Sequence, residues 1–198
     1  MDGTRNLRLV LEYDGTEFCG WQRQDNGPSV QAALEEAIVK LTGTATTVRG
    51  AGRTDAGVHA LGQVVTFSTP SRLPLHTVLR GLNAHLPPAI AVREASEAAA
   101  DFDARHSASG KLYRYQIWNA VPRSPLRLRT HWHMRHPLDP ARMREAAALL
   151  IGRHDFRAFR AADCERKTTV RLVRRVDVLT PEPQVILIEV EATAFLKN

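Results

Sequence analysis

A glycine-rich stretch with a single carboxylate is the part of this sequence best suited to chemistry. Residues 50–59 read GAGRTDAGVH and place Asp55 among three glycines, with Arg53 two positions before it. Glycine permits backbone conformations closed to other residues and lets a ligand come close. A nearby arginine keeps a carboxylate ionised, and an ionised aspartate in a pocket can be a nucleophile or a general base. The stretch therefore predicts a catalytic loop centred on Asp55.

A purely structural interpretation of the same loop stays open. Aspartate in a loop commonly accepts hydrogen bonds from the neighbouring backbone, as in an Asx-turn, and Arg53 could be its surface partner. The loop is not a phosphate-binding P-loop, because it has no Gly-Lys-Ser/Thr. The pattern by itself does not choose between a catalytic and a structural Asp55.

Two other groups of residues invite a chemical interpretation, and both are incomplete. His131, His133 and His136 suggest a metal site, but no acidic or cysteine ligand is close in sequence. Asp14 begins an Asp-Gly-Thr run typical of aspartyl-phosphate enzymes. That chemistry requires a second aspartate two residues away, and Glu12 occupies that position instead. We therefore predict no metal centre and no phosphoenzyme.

The elements that must position the loop follow from hydrophobic periodicity. Leu7, Leu9, Leu11 and Tyr13 alternate with polar or smaller residues, which predicts a half-buried strand. The predicted elements of the first half are this strand, a helix capped by Ser29 and ended by Gly43, strands at 46–49 and 63–68, a helix at 75–86 stopped by two prolines, and a strand at 89–93. This β-α-β-β-α-β order is the ferredoxin-like unit.

The pattern begins again in the second half. It comprises a strand at 111–118, an extended stretch at 126–136, a helix capped by Asp139 and followed by Gly152, and strands at 172–179 and 185–194 joined by a turn at 180–183. We predict an α+β protein of two ferredoxin-like (βαββαβ) halves with antiparallel sheets, residues 1–100 and 101–198. The last helix and strand of the second half are expected to be lacking.

Composition and charge favour a polyanionic partner inside the cell, the alternative being a proteome that is basic in general. The 198 residues carry a formal net charge of +6, and a basic protein favours polyanions because its cations displace counterions from phosphates. Cys19 and Cys164 stand far apart, which favours a reducing compartment. Without a predicted signal peptide or membrane-spanning run, we expect a cytoplasmic protein.

Arginine is concentrated in two segments. These are residues 123–144 and residues 153–175, the second including Glu165, Arg166 and Lys167. With Arg49 and Arg53 they could line a groove for the phosphates of such a polyanion, contacts that set position and carry no sequence information. For any one of these arginines, the alternative is a solvated surface residue.

Several segments together resemble one enzyme family. GRTDAGVHA resembles the catalytic signature of the tRNA pseudouridine synthase A family, and the flanking sequence resembles it over almost the whole chain. The further matching segments are EYDGTEFCGWQRQ, SVQAALEEAI, NAHLPPAIAV, DFDARHSASGKLYRYQIW, GRHDFRAF and VEATAFLKN. Sequences of the family continue beyond AFLKN, so the resemblance implies a C-terminally shortened member.

The resemblance implies a specific function. The family isomerises uridine to pseudouridine in the anticodon stem-loop of tRNA, at positions 38–40, as a homodimer without cofactor or metal. It implies Asp55 as the catalytic residue, Tyr113 as the tyrosine that stacks on the target base, and Arg53 as a substrate-binding residue of the same motif. Alternation alone instead predicts that Tyr113 is a buried strand residue. For the shortened chain, the alternative function is a non-catalytic RNA-binding fragment.

Overall fold

The structure is a computed structural model that describes residues 3–25, 27–162 and 168–196. The chain divides into two compact units, Met1–Ala108 and Ser109–Asn198. Cys164, the Glu165-Arg166-Lys167 run and the last two residues of the VEATAFLKN segment lie outside the described residues. In the described part of the chain, no helix has the length and apolar character needed to cross a membrane.

The first unit has the ferredoxin-like element order and strand order. Its elements are β1 (Arg5–Tyr13), α1 (Val30–Thr42), β2 (Arg49–Gly50), β3 (Ala60–Thr69), α2 (Leu75–His85) and β4 (Ile90–Ala98). The strands lie in the order β2-β3-β1-β4 with every neighbouring pair antiparallel. The prediction of a ferredoxin-like first half is confirmed.

The core of the first unit lies between one face of this sheet and the two helices. Along β1, every second residue from Leu7 to Tyr13 is buried, as the alternation predicts. Leu34 and Ile38 of α1 and Leu82 of α2 complete the core with no exposed surface. Because β1 is central in the sheet, its last residue, Tyr13, ends in the core directly beside the glycine-rich loop.

The ends of the helices follow local signals in the sequence. The Ser29 hydroxyl accepts a hydrogen bond from the Ala32 N–H at 3.2 Å, and Gly43 ends α1 with φ of 70°. Asp139 accepts from the backbone N–H groups of Ala141 and Arg142 at the start of the second unit's helix. These caps are as predicted.

The second unit repeats the same plan with two added edge strands. Its elements are β5 (Lys111–Asn119), β6 (Trp132–Met134), α3 (Pro140–Ala148), β7 (Gly152–Asp155), β8 (Val170–Glu182) and β9 (Val185–Ala192), with 3₁₀ turns at Pro125–Arg127 and Arg157–Phe159. The order is β6-β5-β9-β8-β7, and only the β5–β6 pair of these described strands is parallel. Strands β5, β9 and β8 reproduce the order β1, β3, β2, so the α+β prediction is confirmed.

Some predicted boundaries were wrong, for physical reasons. In the stretch 126–136 only Trp132–Met134 is a strand, because Pro125 begins a 3₁₀ turn that leaves Leu126 98% exposed. Strand β2 is shorter than predicted, since the Thr46 hydroxyl donates to the Ser68 carbonyl in place of a ladder bond. Helix α3 ends at Ala148, ahead of Gly152.

The end of one strand, the existence of another and the position of a turn also differ from the prediction. Strand β4 continues to Ala98 because it pairs with β1 as far as Asn6. Strand β7 was not predicted, since GRHD has no apolar alternation and forms a strand only by pairing with β8. The hairpin after β8 turns at Pro183 and at Gln184, whose φ is 68°, so the turn is shorter than the predicted 180–183.

Candidate active site

The glycine-rich loop (residues 50–59) connects β2 to β3 and projects Asp55 outward. At its base, the Ala51 N–H donates to the Val64 carbonyl at 2.8 Å, and the Gln63 amide donates to the Gly52 carbonyl at 2.5 Å. At its tip, the Val58 N–H donates to the Asp55 carbonyl at 3.2 Å across a tight turn. This turn needs the positive φ of 77° at Gly57. The loop is therefore an ordered structure.

A second segment, residues 14–21 after β1, packs along the glycine-rich loop. The Trp21 N–H donates to the Thr54 carbonyl at 2.9 Å, and the Gly57 N–H donates to the Phe18 carbonyl at 3.3 Å. Gly20 has φ of +100°, and a Cβ there would lie only 2.6 Å from the Thr54 oxygen. The backbones of the two segments thus approach as closely as glycine allows. We call residues 14–21 the supporting segment.

Asp14 and His59 join the same two segments through side chains. Asp14 Oδ1 accepts from the Thr16 backbone N–H at 2.9 Å and from the Thr16 hydroxyl at 2.5 Å. His59 Nδ1 lies 3.0 Å from Asp14 Oδ1 and 3.2 Å from the Gly15 nitrogen. Asp14 therefore organises the start of the supporting segment, which accounts for the Asp-Gly-Thr run without phosphoryl chemistry.

The Asp55 carboxylate is exposed on the loop. Within residues 3–25, 27–162 and 168–196, no group forms a hydrogen bond or ion pair with it, Arg53 included. An Asx-turn role is also absent in this described part, because the turn is closed by the Asp55 backbone carbonyl. The geometry leaves this carboxylate available to a ligand.

Arg53 and Tyr113 occupy different parts of the chain. Arg53 is exposed on the same loop as Asp55. Tyr113 lies in β5 of the second unit, opposite Val190 of β9, and is half-buried where alternation alone predicted burial. Its ring meets the Phe195 ring edge-on, with centroids 4.6 Å apart and planes at 75°.

Two contacts that hold Tyr113 and the glycine-rich loop were not predicted from the sequence. One is the contact between the Phe195 and Tyr113 rings. The only feature of the sequence that pointed to it was an aromatic residue directly after a predicted strand. The other joins Tyr13 Oη and Thr54 Oγ1, which lie 2.8 Å apart. Neither pair is close in sequence, so no local pattern indicates it.

Comparison with known proteins identifies the family. A family model described as tRNA pseudouridine synthase matches residues 9–107 and 146–198. The chain belongs to this family. The matched residues include Arg53, Asp55 and Phe195, whereas Tyr113 lies between the two matched ranges.

Curated relatives match almost the whole chain. The tRNA pseudouridine synthase A of Myxococcus xanthus is 52% identical over 192 residues, which cover 97% of this chain and 72% of the relative. The protein of that name from Syntrophotalea carbinolica is 50% identical, covering 97% and 76%, and the one from Geotalea uraniireducens is 47% identical, covering 98% and 79%. The predicted family is confirmed, and with it the prediction of an enzyme of the pseudouridine synthase class.

Two of the three histidines considered as metal ligands, His131 and His133, contact neighbouring groups. His131 lies 2.8 Å from the Thr130 hydroxyl and 3.0 Å from an Arg127 nitrogen; burial, and then the Arg127 charge, lower its pKa. His133 Nε2 lies 2.8 Å from the Ala120 carbonyl oxygen. Across the described residues, no three histidine, cysteine, aspartate or glutamate side chains gather as a metal site would require.

Several arginines expected to contact RNA are paired with carboxylates within their own unit. The pairs are Arg49–Asp103, Arg127–Glu182, Arg142–Asp139, Arg157–Asp155 and Arg175–Asp177. Exposed pairs of this kind are worth only about 0–1 kcal/mol. In the more exposed pairs, Arg142–Asp139, Arg157–Asp155 and Arg175–Asp177, a phosphate can therefore replace the carboxylate at small cost, so pairing does not remove these arginines from an RNA-binding surface.

Proposed function

We propose that this chain isomerises uridine to pseudouridine in tRNA, with Asp55 as the catalytic residue. The observation that carries the proposal is the Asp55 carboxylate itself, exposed on an ordered loop and unpaired within the described residues. A charged group kept without a protein partner is suited to a partner in the substrate. Membership of the tRNA pseudouridine synthase family indicates the reaction class, and the curated relatives are named for the same reaction.

The reaction explains why one carboxylate suffices. The C1′–N1 bond of the uridine breaks, the uracil turns, and a C1′–C5 bond forms. The proton lost from C5 balances the proton gained at N1, so no acid or base is consumed. Asp55 acts either as a nucleophile at C1′ or as a base toward the sugar, and each role needs its ionised form.

We propose that Tyr113 receives the target base. A uridine must leave the helical stack before it can react, which costs a few kcal/mol. Stacking on an aromatic side chain returns roughly 1–3 kcal/mol per base. The half-buried ring of Tyr113, in edge-on contact with the Phe195 ring, is suited to that task. In this proposal the first half, residues 1–100, supplies the catalytic loop, and residues 101–198 supply the stacking ring.

We propose the anticodon stem-loop as the substrate region and Arg53 as a substrate-binding residue. Arg53 is exposed on the loop of Asp55 and has no ion-pair partner in the described part of the chain. Its charge is therefore available to a backbone phosphate near the reacting nucleotide. The net charge of +6 supports binding that weakens as salt is raised.

We also propose a cytoplasmic homodimer. Exposed apolar side chains in the second unit support self-association: Val121, Leu126, Leu128 and Trp132. Apolar and aromatic side chains of this kind are typical of the buried centre of an interface.

Replacement of Asp55 tests the proposed function. Asp55→Asn keeps the shape and removes the charge, so we expect single-turnover pseudouridine formation to fall by at least about a hundredfold. Filter binding should show unchanged tRNA affinity. Asp101→Asn, an exposed aspartate of the same unit, is the matched control and should be fully active.

The two functions give different results in this assay. Full activity of Asp55→Asn would show that Asp55 is misassigned. An unmodified chain that binds tRNA with steep salt dependence but forms no pseudouridine would instead establish the non-catalytic RNA-binding function.

A further inference from the structure

Thr54, the residue directly before Asp55, is held from two sides. Its carbonyl accepts from the Trp21 N–H at 2.9 Å, and its Oγ1 lies 2.8 Å from Tyr13 Oη. The first contact comes from the supporting segment and the second from the core end of β1. Two bonds to one residue fix its backbone more firmly than either bond does alone.

Tyr13 is a fixed point for this bond. Its side chain is 3% exposed and packs in the core, with its ring centroid 6.4 Å from that of Trp21, which is also 3% exposed. A close-packed core leaves such a ring little freedom to move. The hydroxyl therefore stands at a defined place at the base of the glycine-rich loop.

The sheet is also irregular at this point. Strand β1 pairs Leu11 with Gln63 but Tyr13 with Ala60, so the register shifts where the glycine-rich loop enters β3. Such irregularities re-aim side chains at the edge of a site. The hydroxyl pair joins β1 to the glycine-rich loop beside this irregularity.

Asp55 needs this support because nothing in the described part of the chain holds its carboxylate. A displacement of about 1 Å at a reacting group can lower a rate about a hundredfold. We propose that Tyr13 and Thr54 are positioning residues, whose hydroxyl pair fixes the backbone before Asp55 and so the direction of its carboxylate. This inference rests on the proposed catalytic role of Asp55.

A merely structural role predicts a different result. A buried tyrosine hydroxyl needs a partner, and leaving one unsatisfied costs stability wherever it lies. In that case, removing the pair would lower the melting temperature while the rate at a temperature well below melting stayed the same.

The experiment removes each hydroxyl separately and together. Tyr13→Phe and Thr54→Val each delete one partner with little change of shape, whereas Thr54→Ser keeps the hydroxyl. We expect the two deletions to lower the single-turnover rate about ten- to a hundredfold at unchanged tRNA affinity. Thr54→Ser should be close to wild type, and the double variant should be no slower than the slower single variant.

A second measurement does not depend on activity. Hydrogen exchange at the Val58 amide, which bonds to the Asp55 carbonyl, should quicken in both deletion variants and not in Thr54→Ser. If Tyr13→Phe does not fold, Thr54→Val, a half-buried change at the loop, carries both measurements.

The outcomes separate this inference from the proposed function. Wild-type rates in both deletion variants, together with an inactive Asp55→Asn, would overturn the positioning role alone. Effects that multiply in the double variant would also overturn it, because independent sites add in free energy. An active Asp55→Asn would overturn the proposed function, on which this inference depends.

Discussion

At the residue scale, Thr54 and Tyr113 are each held by another side chain of their own unit. Thr54 is held beside Asp55 by Tyr13, and the Tyr113 and Phe195 rings lie edge-on to each other. These supports differ in kind. A hydroxyl pair sets a direction, whereas an edge-on ring contact sets the tilt of a flat surface on which a base can stack.

Phe195 is predicted to orient the Tyr113 ring. An edge-on aromatic pair is worth about 0.5–1.5 kcal/mol beyond its buried area, so Phe195→Leu should slow pseudouridine formation by a factor of about two to ten. Single-turnover kinetics measure the effect, and Phe195→Tyr should preserve the rate.

Phe159→Leu is the matched control, because Phe159 belongs to the same unit and pairs with Phe156 instead. Equal slowing in both variants would mean that a general loss of packing, and not the tilt of Tyr113, explains the result.

At the element scale, hydrogen bonds to the Asp103 carboxylate connect the segment after β4 to the first sheet. Asp103 accepts from the backbone N–H groups of Arg105 and His106 at 2.9 Å and from Arg49 at 3.0 Å. The His106 N–H contributes most, and the Arg49 side chain next, to lowering the pKa of the Asp103 carboxyl below its ordinary value of 3.8. The Ala104 N–H, 3.3 Å from the Thr66 hydroxyl, adds a second fastening.

The lowered pKa predicts the pH dependence of this fastening. A carboxyl whose pKa is lower in the folded state adds stability that is fully present above its unfolded pKa and is lost as pH falls through the folded value. Asp103→Asn should therefore reduce the free energy of unfolding at pH 7, and its difference from wild type should shrink below about pH 3.8. Urea titrations at several pH values measure this.

Asp101→Asn is the control for this experiment too, since Asp101 is exposed two residues earlier. A deficit in Asp103→Asn that stays constant down to acid pH would show that the carboxylate charge is not what fastens the segment.

At the scale of the whole molecule, exposed apolar side chains of the connection between β5 and β6 predict self-association. Leu126 is 98% and Leu128 75% exposed, which is unusual for leucines so close in sequence. If they lie in the interface of the proposed homodimer, Leu126→Glu with Leu128→Glu should shift sedimentation from dimer to monomer, because a charge buried at an interface is costly.

Leu61→Glu, at a leucine that is 71% exposed in the first unit, should leave the dimer intact. A dimer unaffected by the double change would place the interface elsewhere, and a monomeric wild type would contradict the proposed homodimer.

Features that depend on neighbouring residues could be predicted from the sequence alone. Alternation from Leu7 to Tyr13 predicted β1, and Ser29 and Gly43 marked the ends of α1, because burial periodicity and caps act within a few residues. The signature around Asp55 likewise indicated the family, later matched over residues 9–107 and 146–198. The reaction class could be predicted for the same reason, because the residues of the signature are consecutive in the chain.

Contacts between distant segments could not be predicted, because they form only when the chain has folded. The bond from Tyr13 to Thr54 joins the end of a central strand to a loop formed much later in the chain, and Phe195 meets Tyr113 across the second unit. Strand β7 forms only because it pairs with β8. Leu126 and Leu128 have the spacing of a buried strand face, yet both are exposed. Such features depend on which surfaces meet after folding, and local propensity carries no information about that.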